Sequence, residues 1–171
     1  ATSGSGGGGS TPLLVSGMGP STATVPADSR VVLSVSSVGT SAFTYAWTKD
    51  NAAVTSPTVG GYAFNLTSGT AGAYGLTVAG GGSQVMQSTT FSVGGTGTSP
   101  RFLSGLPMSV HVQTGQRVML GVSASGGSNL VFAWTKDGTV LPGKTDHVLD
   151  LGAPVGGDSG VYAVTLQLGT D

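Results

Sequence analysis

Along the chain, apolar residues recur at every second position in short runs, the period of a strand buried on one face. Val31, Leu33 and Val35 make one such run. Phe43, Tyr45 and Trp47 share a face of the next, with Thr44 and Ala46 opposite. Tyr74, Leu76 and Val78 point one way while Gly75 and Thr77 point the other. A further run, Gln87 to Val93, follows the Gly80-Gly81-Gly82-Ser83 turn and alternates at Phe91 and Val93. The series then begins again with Val118, Leu120 and Val122, then Leu130, Phe132 and Trp134, then Val161 to Leu168. The pattern predicts antiparallel strands, each with one face on a core.

The second series is a copy of the first. Ala46-Trp47-Thr48-Lys49-Asp50 recurs 87 residues later as Ala133-Trp134-Thr135-Lys136-Asp137. Gly72-Ala73-Tyr74-Gly75-Leu76-Thr77-Val78 is matched by Gly160-Val161-Tyr162-Ala163-Val164-Thr165-Leu166. Each repeat is about 85 residues, enough to bury a core of its own without a large margin.

Composition sharpens the reading to all-β. Gly accounts for 31 of 171 residues, Glu is absent, and charged residues make up 8%. That removes the usual material of surface helices, leaving strand formers and turn formers. Ser, Thr, Gly and exposed backbone must carry the solvation. A net charge of −1 without a basic patch argues against nucleic acid or anionic lipid as a partner. No apolar run reaches bilayer-spanning length, so no membrane insertion is expected. The first residues, Ala1-Thr2-Ser3-Gly4, lack the regions of a signal peptide. With no cysteine, disulfides, thiolate metal sites and Cys nucleophiles are excluded.

These residues resemble the immunoglobulin-like fold, closest to the intermediate-type domains found in tandem on cell-surface proteins. The second repeat carries the motif at Trp134-Thr135-Lys136-Asp137-Gly138 and at Asp158-Ser159-Gly160-Val161-Tyr162. The first carries Trp47, Gly72 and Tyr74, with Thr70 in place of the acidic residue. The resemblance implies two Greek-key β-sandwiches with Trp47 and Trp134 as core tryptophans. It also implies that Tyr74 and Tyr162 are corner tyrosines whose hydroxyls bond nearby backbone. The disulfide positions fall at Val35 and Leu76, and at Val122 and Val164, so aliphatic side chains fill the place of sulfur. Arg117 stands where a partner for Asp158 is expected. Cysteine-free versions are similar to bacterial and phage modules.

The expected organisation is a Gly/Ser-rich linker (1–11), a first domain (12–93), a linker (94–99) and a second domain (100–171). Flexible linkers of this kind suit beads on a string. The second domain has no counterpart of the run Gln87 to Val93 within these residues. Either the chain is a fragment of a longer array, or a neighbouring subunit's strand completes the sandwich by β-augmentation.

The inventory of chemistry is thin. His111 is expected on the solvent side of a strand Val110-His111-Val112. His147 shares a strand face with Leu149 and Leu151, while Asp146, Val148 and Asp150 take the other face. Acids on the opposite face cannot converge with His147 on one ion or form a triad. Most Asp residues sit in turn contexts, where the side chain bonds local backbone. No Asp-rich calcium loop or phosphate loop is present, so no cofactor, metal or catalytic residue is expected. Asn65-Leu66-Thr67 is a formal glycosylation triplet inside an expected strand. Tyr62 and Phe102 remain as candidate ligand contacts. The sequence points to a non-catalytic structural segment of an extracellular, cell-surface or virion-surface protein, a filament, sheath, spacer or appendage. Its expected partners are neighbouring immunoglobulin-like domains or subunits. The alternative is an adhesive or carbohydrate-binding module with surface glycans as partners.

Overall fold

The computed structural model describes residues 13–39, 43–55, 61–80 and 83–170, with the side chains of Leu13, Leu14 and Ser83 outside the description. The first repeat contributes β1 (Leu13–Leu14), β2 (Thr22–Val25), β3 (Arg30–Ser34), β4 (Ser37–Gly39), β5 (Thr44–Lys49), β6 (Ala52–Ala53), β7 (Gly61–Asn65), β8 (Gly72–Gly80) and β9 (Ser83–Val93). The second contributes β10 (Arg101–Ser104), β11 (Arg117–Gly121), β12 (Ser123–Gly126), β13 (Leu130–Lys136), β14 (Thr139–Val140), β15 (Val148–Gly152) and β16 (Tyr162–Leu168). A 3-10 turn, Gly156–Asp158, precedes β16.

In the first repeat, five strands form a sheet in the order β2-β9-β8-β5-β6, with β2 running parallel to β9. The inward residues of β3, Val31 and Leu33, pack with Val35 against Trp47, Leu76, Val78 and Phe91 of that sheet. In the second repeat the matching sheet has three strands, β14-β13-β16. Its core gathers Val118, Leu120, Trp134 and Leu149, beside a smaller cluster of Val122, Ala124 and Phe132. Both clusters also take a residue from the first repeat, Val38 and Val32 respectively.

That sharing reflects a connection that beads on a string would lack. β3 pairs with β12 and β4 pairs with β11, antiparallel in one constant register from Arg30↔Gly126 to Gly39↔Arg117. The remaining two sheets, β1-β4-β11-β15 and β10-β12-β3-β7, are therefore antiparallel sheets that draw strands from both repeats. Near the middle of this pairing the positions off the core face are Ser34, Ser36, Gly121 and Ser123, which read as solvent positions but let two backbones approach closely. Ser34, Ser36, Ser37, Ser123 and Ser125 are all buried.

Where the ladder breaks, between 34–36 and 121–123, serine hydroxyls replace the missing rungs. Ser123 Oγ accepts from Ser34 N–H at 3.0 Å and donates to Ser34 C=O at 3.1 Å. Ser36 Oγ does the same to Gly121, at 3.0 and 3.2 Å. Ser36 and Ser123 are equivalent positions of the repeat, so the seam has approximate two-fold symmetry. Buried hydroxyls with both roles filled carry no desolvation penalty of the kind an orphan would. A side chain at Gly121 would drive its Cβ into Ser34 Oγ and to 2.6 Å from Val35 O, so only glycine fits there.

Candidate functional site

The repeated Trp-Thr-Lys-Asp motif anchors one sheet end in each unit. Asp50 and Asp137 adopt positive φ (49° and 50°) after β5 and β13. Their carboxylates reach forward 23 and 24 residues to accept from Ala73 N–H at 2.8 Å and Val161 N–H at 2.7 Å. The Lys49 ammonium and the Ala73 amide hold the Asp50 carboxyl below the usual carboxylate range. A Cβ at Gly72 or Gly160 would lie 2.5 or 2.6 Å from those carboxylates, which explains the glycine before each tyrosine motif.

Trp47 and Trp134 are 2% and 0% exposed, one in each unit's core. Trp134 Nε1 donates to Asp146 C=O at 2.7 Å, whereas Trp47 Nε1 is buried with no such bond. Tyr74 donates its hydroxyl to Thr70 C=O at 2.6 Å, and Tyr162 to Asp158 C=O at 2.8 Å. Burial, first of all, raises both hydroxyls above the ordinary tyrosine range. Val35, Leu76 and Val122 are buried and Val164 is half-buried. Tyr62 is half-buried, stacked on Trp47 with centroids 5.6 Å apart and tilted against Phe64 and Tyr74. Phe102, on β10, is 43% exposed.

Three local readings change. Arg117 does not pair with Asp158: it lies 3.9 Å from Asp150, while Asp158 accepts from Val155 N–H at 2.7 Å, closing the turn before β16. Val110-His111-Val112 is not a strand, although His111 is exposed. In the first unit the equivalent β2 is held by β9, and among the described residues no strand takes that place in the second. Asp146 and His147 do meet, because Asp146 Oδ1 turns back to accept from His147 N–H at 2.7 Å.

His147 is 5% exposed and sits on the seam. Nδ1 lies 2.6 Å from Asp146 Oδ1, and Nε2 lies 3.2 Å from Leu33 C=O of the first unit. Both facing atoms are acceptors, so each contact is a bond only when that ring nitrogen carries its proton. Gly61 leaves room for the ring, since a Cβ there would stand 2.5 Å from Nε2. Gly61→Ala is expected to cost roughly 1–3 kcal/mol by forcing the imidazole off Leu33, read as a lower urea midpoint with an unchanged slope. The hydrogen bond from His147 is the main cause of a lowered Asp146 pKa. A depressed carboxyl stabilises the fold above the ordinary carboxylate range, and that contribution fades as pH falls through the folded value. Asp146 is 65% exposed, so the effect is expected to stay under about 1 kcal/mol. Urea midpoints from pH 6 to pH 3 should converge for the parent chain and Asp146→Asn.

Beside β16 an open groove of about 860 Å³ is lined by Leu106, Val110, Val118, Leu120, Leu151 and Tyr162, among others. Around it Met108, Val155 and Val161 are exposed at 105%, 72% and 72%. Among the described residues, no group of three or more His, Asp or Glu side chains gathers where it could hold a metal ion.

No protein-family model matches the chain, and no curated protein sequence matches it. Solved structures do. A four-domain immunoglobulin structure of Sidekick-1 aligns at TM-score 0.51 and 18% identity, over 90% of this chain and 47% of that one. The fold is that of tandem immunoglobulin-like domains. These are immunoglobulin-like domains without a disulfide, because the chain has no cysteine. The chain spans about half the length of the Sidekick-1 structure, 47%. A single titin domain aligns over 50% of this chain and 96% of that one, at 27% identity and TM-score 0.42. The tandem immunoglobulin repeats of Dlar align over 92% and 90%, at 14% identity and TM-score 0.42.

Proposed function

We propose that the chain is a non-catalytic structural segment of an extracellular repeat protein, a surface filament, sheath, spacer or virion appendage. On this reading its organisation is linker 1–11, domain 12–93, linker 94–99 and domain 100–171, with Trp47, Trp134, Tyr74, Tyr162, Val35, Leu76, Val122 and Val164 as structural core. The observation that carries the proposal is the seam. Two short β-ladders in one register, joined by buried serine bridges, make two sandwiches into one stiff body, which suits a spacer better than independently tumbling modules. Neighbouring immunoglobulin-like domains or subunits are its partners. Antibody labelling of intact cells or virions, before and after protease shaving, tests the reading. Surface label removed by shaving supports it; label that appears only after lysis sinks it.

A second reading, an adhesive or glycan-binding module, rests on the exposed ring of Phe102 at the start of β10. Glycan-array binding that disappears in Phe102→Ala, with Tyr62→Ala as the companion variant, would favour it over the structural role.

A further inference from the structure

We propose that the pocket where the two units join is a binding site for an acidic sugar, held by its carboxylate on Arg101. The inference goes beyond the structural role and does not depend on it.

An open pocket of about 360 Å³ lies between the end of β2, the segment from Gly94 to Ser99, the start of β10 and the end of β12. That volume is at the small end for ligand pockets and suits a single sugar ring. Arg101 is the cation in its wall, and no carboxylate lines it. Among the described residues Arg101 makes no ion pair. Its Nε donates to Ser125 Oγ at 3.2 Å and its Nη2 to Thr24 C=O at 2.8 Å. Those bonds occupy the side-on edge of the guanidinium and fix its plane. The end-on edge, Nη1 with the outer N–H of Nη2, is left for a ligand. Its two parallel donors match a carboxylate in two-point fashion.

A second, independent feature points to a ligand with hydroxyl groups. Ser29 lines the same pocket, is 1% exposed, and its hydroxyl has no hydrogen-bond partner. Its backbone is pinned, with N–H on Pro26 C=O at 3.3 Å and C=O on Leu66 N–H at 2.8 Å. A buried hydroxyl left unpaired is destabilising, and a polar ligand in the pocket supplies the missing partner. The amides of Gly95, Thr96 and Gly97 also make no hydrogen bond among the described residues. Gly95 and Gly97 hold φ of 81° and 99°, and a Cβ on either would meet nothing within 4 Å, so this wall stays open. Val25 and Pro26 add an apolar patch to the hydroxyls of Thr96 and Ser99. One cation balances one negative charge, and the hydroxyls, amides and small apolar patch suit a sugar ring. The repeat does not reproduce the site, since Leu13 and Gln116 stand at the positions equivalent to Arg101 and Ser29.

The test titrates the 171-residue chain with glucuronate and follows amide and guanidinium NMR shifts. Saturable binding with a Kd on the order of 1 mM is expected, with shifts at Ser29, Gly95, Gly97 and the Arg101 Nε–H. Glucose lacks the carboxylate and acetate lacks the ring, so each should bind at least about tenfold more weakly. Arg101→Lys keeps the charge but loses the fork, and should weaken glucuronate about tenfold. Ser29→Ala should weaken it about three- to tenfold while the urea midpoint of the free chain stays level or rises, because the hydroxyl has no partner to lose. Absence of saturable shifts at these residues overturns the proposal. Glucose binding as well as glucuronate overturns it too, as does acetate or inorganic sulfate doing so, which would mark a site for any small anion. A Ser29→Ala chain with a lower midpoint and unchanged affinity also sinks it, by making that serine structural. Surface labelling of the parent protein is independent of all these outcomes, so the structural reading and the sugar site fail separately.

Discussion

Trp134→Ala is expected to lower the free energy of unfolding by about 3–5 kcal/mol, the range for emptying an aromatic core position. The indole is fully buried among Val38, Val118, Leu120 and Leu149, so little can collapse into the space it leaves. Its Nε1–H also bonds Asp146 C=O, at the base of the segment carrying His147 to the seam. A graded comparison separates these terms. Trp134→Phe and Trp47→Phe remove similar volume, but only the first removes a hydrogen bond, so it should cost about 1 kcal/mol more. The shape of the transition is a sharper test. Val32 and Val38 belong to the first repeat yet pack in the second unit's clusters, and β3 and β4 take β12 and β11 as ladder partners. Unfolding the second unit alone would strip cover from both. Within each single-tryptophan variant, the urea transition followed by the remaining tryptophan's fluorescence should therefore coincide with that followed by far-UV circular dichroism. Two well-separated transitions would refute the shared seam.

Much of this architecture was legible in the sequence because period-2 alternation and an 87-residue repeat report directly on burial. Trp47, Trp134, Tyr74 and Tyr162 were marked in the sequence by the resemblance of their motifs to the immunoglobulin-like fold. The hydroxyl bonds of the tyrosines and the glycines beside Asp50 and Asp137 then follow from local geometry. The seam was not legible, since alternation identifies one buried face and assigns the other to water. Ser34, Ser36 and Ser123 on that other face are as compatible with solvent as with a neighbouring backbone, because a hydroxyl both donates and accepts. A signal existed in the size of the residues. From Ser34 to Gly39 and from Gly121 to Gly126, neither run carries a charge, and everything outside the core face is small apart from Val38. The missing strand at 110–112 had a different cause. Val110-His111-Val112 has the right local pattern, but β2 owes its strand pairing to a parallel partner distant in sequence, and no local pattern reports whether that partner is present.

The serine bridges provide the second large effect. Ser36→Ala and Ser123→Ala should each cost about 2–4 kcal/mol, because each hydroxyl bonds both an N–H and a C=O on the opposite strand, and water has no access to replace it. Ser92→Ala is the control, an exposed serine bonded only to the Thr24 hydroxyl at 3.1 Å, where a change within about 0.5 kcal/mol is expected. The two seam substitutions act on one short stretch, so the double variant should cost less than their sum. Once one bridge is lost the strands can separate locally, and the second bridge then stabilises less. Hydrogen exchange at the Ser34 and Gly121 amides places the effect on the seam. Ser123→Ala should speed exchange at Ser34 first, and Ser36→Ala at Gly121 first, because each hydroxyl guards one amide. If both substitutions behaved like Ser92→Ala, with amide protection intact, β3 and β4 would not be joined to β12 and β11 in solution. The stiffness on which the spacer role depends would then have no physical source.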